Sequence, residues 1–162
     1  MKYKLTDVKI NFMGKTLFQI EAVKCFGDIV KGQKGGFIEK ESNLSQGGDA
    51  WVSGNAKVYG NAEVSGDAWV SGNAKVSGDA WVSGNAKVYG NAEVYGDAWV
   101  SGNAKVYGNA EVSGNADYLV IGPIGSRNDI TTFFKTANND IKVSCGCFTG
   151  NIEEFLEKVN ET

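Results

Sequence analysis

The sequence predicts a mostly β chain, a solenoid of short parallel strands closed at each end by a cap of its own. Three observations carry that prediction: an unbroken six-residue repeat runs from Asp49 to Gly114, all eight Phe lie outside it, and the 162 residues contain 22 Gly but 1 Pro. Such a length suits one compact domain or one short solenoid with caps.

Residues 1–48 read as an N-terminal β cap and a first, imperfect coil. Lys2 to Asp7 and Leu17 to Phe26 are strand-like, with Met13-Gly14-Lys15 as the turn between them. Gly32 to Gly48 leads into the repeat, where Ile38 and Leu44 already stand six residues apart. Phe12, Phe18, Phe26 and Phe37 supply bulk here, as an open solenoid needs a capping module to prevent end-to-end pairing.

Residues 49–116 form the repeat, eleven units of (Asn/Asp)-Ala-x-Val-(Ser/Tyr)-Gly starting with Asp49-Ala50-Trp51-Val52-Ser53-Gly54. Ala and Val are two apart, so both face inward on a short strand while x faces out. Asn, Asp and Gly accept the positive φ that a bend between strands requires. Three successive units make one triangular coil, and each coil buries its inner face only against the next. The repeat thus provides about 3.5 to 4 coils.

The outward position has its own order: Trp51, Lys57, Glu63, Trp69, Lys75, Trp81, Lys87, Glu93, Trp99, Lys105, Glu111. One Glu unit is missing after Lys75, which turns the later pattern by one face. The expected columns are Trp51/Trp69/Lys87/Lys105, Lys57/Lys75/Glu93/Glu111 and Glu63/Trp81/Trp99/Asp117. Exposed Trp on a slender coil marks a partner or a covering segment; the expectation is that Trp51, Trp69, Trp81 and Trp99 form an oligomer interface. Asn55, Asn73, Asn91 and Asn109 share one corner and predict an amide ladder.

Residues 117–162 read as a C-terminal ββα module, a β-hairpin plus helix. Tyr118 to Ile121, Ile130 to Lys135 and Ile141 to Phe148 are strand candidates, with a turn at Asn138-Asn139-Asp140. Asn151-Ile152-Glu153-Glu154 starts a helix as a capping box, and Ile152, Phe155, Leu156 and Val159 share its apolar face. The loop with the chain's lone Arg and Pro is the candidate ligand site: Gly125, Ser126, Arg127 and Asn128, followed by Thr131, Thr132 and Lys135, combine backbone amides, a guanidinium fork and hydroxyls suited to a phosphate or carboxylate.

The repeat resembles the hexapeptide repeat of left-handed parallel β-helices, known best from acyltransferases, over about 66 of the 162 residues. That resemblance implies the left-handed sense and a homotrimer. The C-terminal tail resembles those behind hexapeptide repeats in uncharacterised proteins of Firmicutes and their phages.

Chemistry is narrowed most by the absence of His. It removes Ser-His and Cys-His nucleophiles, a His base and His-containing zinc sites, and with them the base on which the resembling acyltransferases rely. Cys25, Cys145 and Cys147 are expected to be reduced, with Cys145 and Cys147 on one strand face. The corners offer too few carboxylates for a calcium solenoid, so neither metal nor cofactor is expected. A net charge of −3 argues against a nucleic-acid partner, and the lack of any apolar run long enough to span a bilayer argues against a membrane. The resulting expectation is a cytoplasmic, non-enzymatic, oligomeric binding protein, an accessory or counter-defence protein of phage type that takes a small anionic, nucleotide-like ligand or a host protein. The alternatives are a structural solenoid that polymerises into a fibre and, behind it, an acyltransferase-like enzyme.

Overall fold

The computed structural model describes residues 1–114, 117–124, 129–136 and 138–161. Each repeat unit contributes a two-residue strand, x and Val, followed by a turn at its Gly. Strands three units apart lie side by side, so the eleven rungs form three parallel ladders. One holds β4 (Trp51–Val52), β7 (Trp69–Val70), β10 (Lys87–Val88) and β13 (Lys105–Val106). The second holds β5 (Lys57–Val58), β8 (Lys75–Val76), β11 (Glu93–Val94) and β14 (Glu111–Val112). The third holds β6 (Glu63–Val64), β9 (Trp81–Val82) and β12 (Trp99–Val100). Successive coils are joined by bonds such as Trp69 N–H to the Ala86 carbonyl, 2.9 Å.

Every Ala and Val of the repeat is buried, which makes the core a stack of small side chains. The turns explain the invariant Gly: Gly78 has φ +69°, and a Cβ there would lie 2.9 Å from both N and O of Gly96 in the next coil. At the predicted corner, Asn55 donates to Asn73 at 3.4 Å, Asn73 to Asn91 at 3.2 Å and Asn91 to Asn109 at 3.4 Å.

At the N-terminus β1 (Tyr3–Phe12) and β2 (Lys15–Ala22) form a hairpin turned at Met13 and Gly14, both with positive φ. β3 (Lys34–Ile38) pairs antiparallel with β2 and parallel with β5, so the cap continues the second ladder as one seven-stranded sheet. Ile38 sits beside Val58 and Leu44 beside Val64, in each case two residues more than the three units that separate later rungs. The two extra residues lie between Leu44 and Val52, which stand eight apart where later rungs stand six apart, just after a 3-10 turn at Glu41–Asn43.

The first coil has carbonyls with no coil above them. Lys2, buried, donates its ammonium to the carbonyls of Gly47, Gly48 and Ala50 at 3.2, 3.1 and 2.8 Å. Tyr3 Oη donates to those of Glu41 and Leu44, and the buried Asn43 amide to those of Gly60 and Ala62. Buried backbone acceptors are thereby satisfied by side chains. Burial lowers the Lys2 ammonium to about 8 against the opposing pull of Asp49 and Asp67, with Lys24 adding to the drop. Burial likewise raises the Tyr3 phenol, helped by Glu41.

The C-terminal module is larger than the expected hairpin. β15 (Tyr118–Ile124), β16 (Asp129–Lys135), β17 (Ile141–Cys145) and β18 (Phe148–Asn151) form a four-stranded antiparallel sheet, with α1 (Ile152–Asn160) after it. The run from Ile141 to Phe148 is broken by a turn at Gly146 and Cys147, where Gly146 takes φ +58°. Cys147 is therefore in a turn and does not share a strand face with Cys145; Cys25, Cys145 and Cys147 are not joined in disulfides. The helix begins as expected, Asn151 and Glu154 capping each other at 2.8 Å in both directions.

The third ladder ends at β12, so Asp117 is not a rung under Trp99. Its carboxylate instead accepts from the Ser113 hydroxyl and the N–H groups of Ser113 and Gly114, and pairs with Lys135 at 3.7 Å. Those contacts, the Ser113 hydroxyl foremost, hold it below the usual carboxylate range. Among the described residues no helix is long and apolar enough to cross a membrane.

Candidate functional site

The four outward tryptophans have three different fates. Trp51 is fully buried, edge-on to Phe26 at 5.5 Å between ring centroids, beneath the N-terminal cap. It is a covered core residue and leaves the expected interface set, because the cap supplies the aromatic lid that its place on the top rung demands. Its Nε1 has no hydrogen-bond partner among the described residues. Trp69, the next rung, is half-buried against the core.

Trp81 and Trp99 are 42% and 49% exposed and stack face to face, 5.3 Å apart and 9° from parallel. Each indole N–H donates to a serine of the preceding coil, Ser65 at 2.9 Å and Ser83 at 3.3 Å, which fixes the rings against the surface. Tyr118 of β15 bonds the Trp99 carbonyl, and a recess of about 420 Å³ links Trp99 to Leu119 and Val120. Leu119 and Ile121, alternate residues of β15, are exposed as well. The result is an apolar patch beginning on the third ladder and running onto the C-terminal sheet.

The expected anion loop is divided. Gly125, Ser126, Arg127 and Asn128 lie outside the described residues. Thr131 is buried, its hydroxyl 3.0 Å from Cys145 Sγ; Thr132 is buried too, and Lys135 is engaged with Asp117. On the second strand of the four, Thr131 and Thr132 are buried in the module and Lys135 serves its junction with the solenoid.

A cleft that sequence reasoning missed opens between the cap and the Trp69 ladder. It encloses about 720 Å³. Asp28 from the cap loop and Asp49 and Asp67 from one corner form one wall. Trp69 and Ser71 lie along the middle, and Lys87, Lys105 and Tyr89 form the other end. Tyr89 stacks on Tyr107 at 5.0 Å, and burial with Tyr107 beside it raises the Tyr89 phenol. The column Trp51/Trp69/Lys87/Lys105 was legible in the sequence; the overhang of Gly27 and Asp28 that turns it into a cleft was not. A smaller apolar recess of about 370 Å³ lies between β15, β16 and the start of α1, lined by Leu119, Phe133 and Ile152 among others.

The model of the YdcK beta solenoid repeat matches residues 56–72 and 86–102. The chain is a β-solenoid repeat protein. The solenoid's two matched segments both read Lys, Glu, Trp at their outward positions, yet they start five units apart and not six. Trp69 and Trp99 therefore occupy different ladders although their local sequences agree. Among curated proteins the chain has no match.

Proposed function

We propose that this solenoid is a non-enzymatic, homo-oligomeric binding protein that works through its surfaces. Its coil is triangular and left-handed, of the hexapeptide type, and its oligomer is the trimer that resemblance implies. The observation that carries the reading is the Trp81/Trp99 stack, held open to solvent by its serine bonds and continued by Leu119. A contiguous apolar patch of this kind on a charged, small-residue surface is a contact surface. The lack of His supports the non-enzymatic part. The side chains that close the top coil disfavour end-to-end polymerisation into a fibre. In this reading the protein acts in the cytoplasm, as an accessory or counter-defence protein where a phage encodes it.

Native mass spectrometry tests the proposal. The expected species is three times the 17.3 kDa chain, and Trp81→Lys with Trp99→Lys is expected to return it to monomer with unchanged β circular dichroism. A monomeric parent, or a variant of unchanged mass, removes the interface.

A further inference from the structure

The two lysine pairs of the solenoid are treated differently by the fold. Lys57 and Lys75 lie in register on adjacent rungs, and like charges directly opposite repel. The chain compensates them: the Phe12 ring lies 5.1 Å from the Lys57 ammonium and 5.9 Å from that of Lys75, and Glu93 pairs with Lys75 at 2.6 Å. Lys87 and Lys105 are in register in the same way. No ion pair to either one is found among the described residues, and both are exposed at one end of the cleft.

The rest of the cleft specifies what else a ligand must carry. Trp69, on the rung beside Lys87, offers an apolar ring surface. Asp28, Asp49 and Asp67 can only accept hydrogen bonds when ionised, so the far end calls for donors such as an amine or a diol. From the Trp69 rung to that of Lys105 is two rungs, about 10 Å. Asp67 is not free to turn away, because its Oδ1 accepts the Asp49 N–H at 3.0 Å.

We infer that this cleft binds a nucleoside-phosphate class of ligand, its phosphate between Lys87 and Lys105, its ring against Trp69 and its donors toward the three carboxylates. The inference deepens the binding reading above and rests on it, but it does not depend on subunit number. An anion between the two ammoniums relieves their mutual repulsion and gains charge-assisted hydrogen bonds, while the ring adds stacking.

Calorimetric titration of the full chain with AMP, adenosine and inorganic phosphate is the test. AMP is expected to bind at least tenfold more tightly than either fragment, and to weaken when the salt is raised to about 0.5 M. Lys87→Gln with Lys105→Gln is expected to weaken AMP at least tenfold while leaving adenosine and the native mass unchanged, and Trp69→Leu to weaken AMP and adenosine together. No AMP binding at millimolar concentration overturns the inference, as does AMP binding that the lysine substitutions leave intact. Neither result alters the native mass, so a failed ligand is distinguished from a failed oligomer.

Discussion

The two ends of the solenoid close the same kind of open coil by opposite means. At the top, the cap extends a ladder through β3, and Lys2, Tyr3 and Asn43 place buried donors on the coil's own carbonyls. At the bottom, the C-terminal module keeps a sheet of its own and touches the last coil at points: an isolated bridge from Ala110 to Thr136, Tyr107 edge-on to Phe134 at 5.4 Å and 2.5 Å from Thr149 Oγ1, and Tyr118 on the Trp99 carbonyl. One end is built into the coil and the other is docked against it. An integrated cap must match the coil's register and dimensions, as the two extra residues between Leu44 and Val52 show, whereas a docked module is free to carry exposed apolar surface elsewhere.

Removing buried donors at the top is the strongest way to break this contrast. Lys2→Met with Tyr3→Phe is expected to cost about 3–5 kcal/mol, because five carbonyl contacts, two of them fully buried, lose their donors. At the bottom, Tyr118→Phe with Lys135→Met is expected to cost below about 1 kcal/mol, as for a part-exposed ion pair. Equal losses by urea denaturation at the two ends would abolish the distinction.

A smaller effect sharpens it in pH. Below pH 8 Lys2 is charged in both folded and unfolded chains, and folding bears the cost of burying the charge. Between about 8 and 10.5 the unfolded chain keeps a proton that the folded chain releases, so stability rises with pH, by at most about 3 kcal/mol. Above about 10.5 the sign reverses, because the unfolded Tyr3 phenol ionises while the folded one, raised by burial, stays neutral. Scanning calorimetry is expected to show Tm climbing from pH 7.5 to 9.5 in the parent. In Lys2→Met that rise is expected to be gone, and a rise that persisted would assign it elsewhere.

Within the coils the same contrast continues from middle to end. Gly78→Ala and Gly102→Ala impose similar backbone strain, at φ +69° and +65°, on the order of 1–2 kcal/mol. Only Gly78 also faces another coil, whereas a Cβ on Gly102 meets nothing within 4 Å. Gly78→Ala is expected to be the more destabilising by roughly 1 kcal/mol or more, on the order of a small overpacking penalty; equal Tm shifts would refute tight stacking. The smallest expected effect is Lys75→Gln, below about 1 kcal/mol for its part-exposed pair with Glu93.

The coil was legible because its information is local and repeated. Each unit names its inward pair, its bend and its neighbour three units on, so the ladders and the Asn55 corner follow from counting. The helix start at Asn151 was legible for the same reason, since a capping box is contained within a single turn. The fourth strand of the C-terminal sheet was hidden, because the Gly146–Cys147 turn interrupts a run that reads as one strand.

The candidate site was legible only in halves. The column of Trp69, Lys87 and Lys105 follows from the missing Glu unit, but nothing in those residues says that Asp28 overhangs them. Nor does the sequence distinguish Trp51 from Trp81, which stand in identical six-residue units. One lies under Phe26 and the other in solvent. By itself the sequence determined the period, the inward core and the outward columns within the repeat, Asp117 excepted, because these depend on contacts between like neighbours. Only the tertiary structure decided which outward residues are covered, compensated or left open, because that depends on where two non-repeating ends fold back, through long-range contacts such as Lys2 to Ala50 that no period connects.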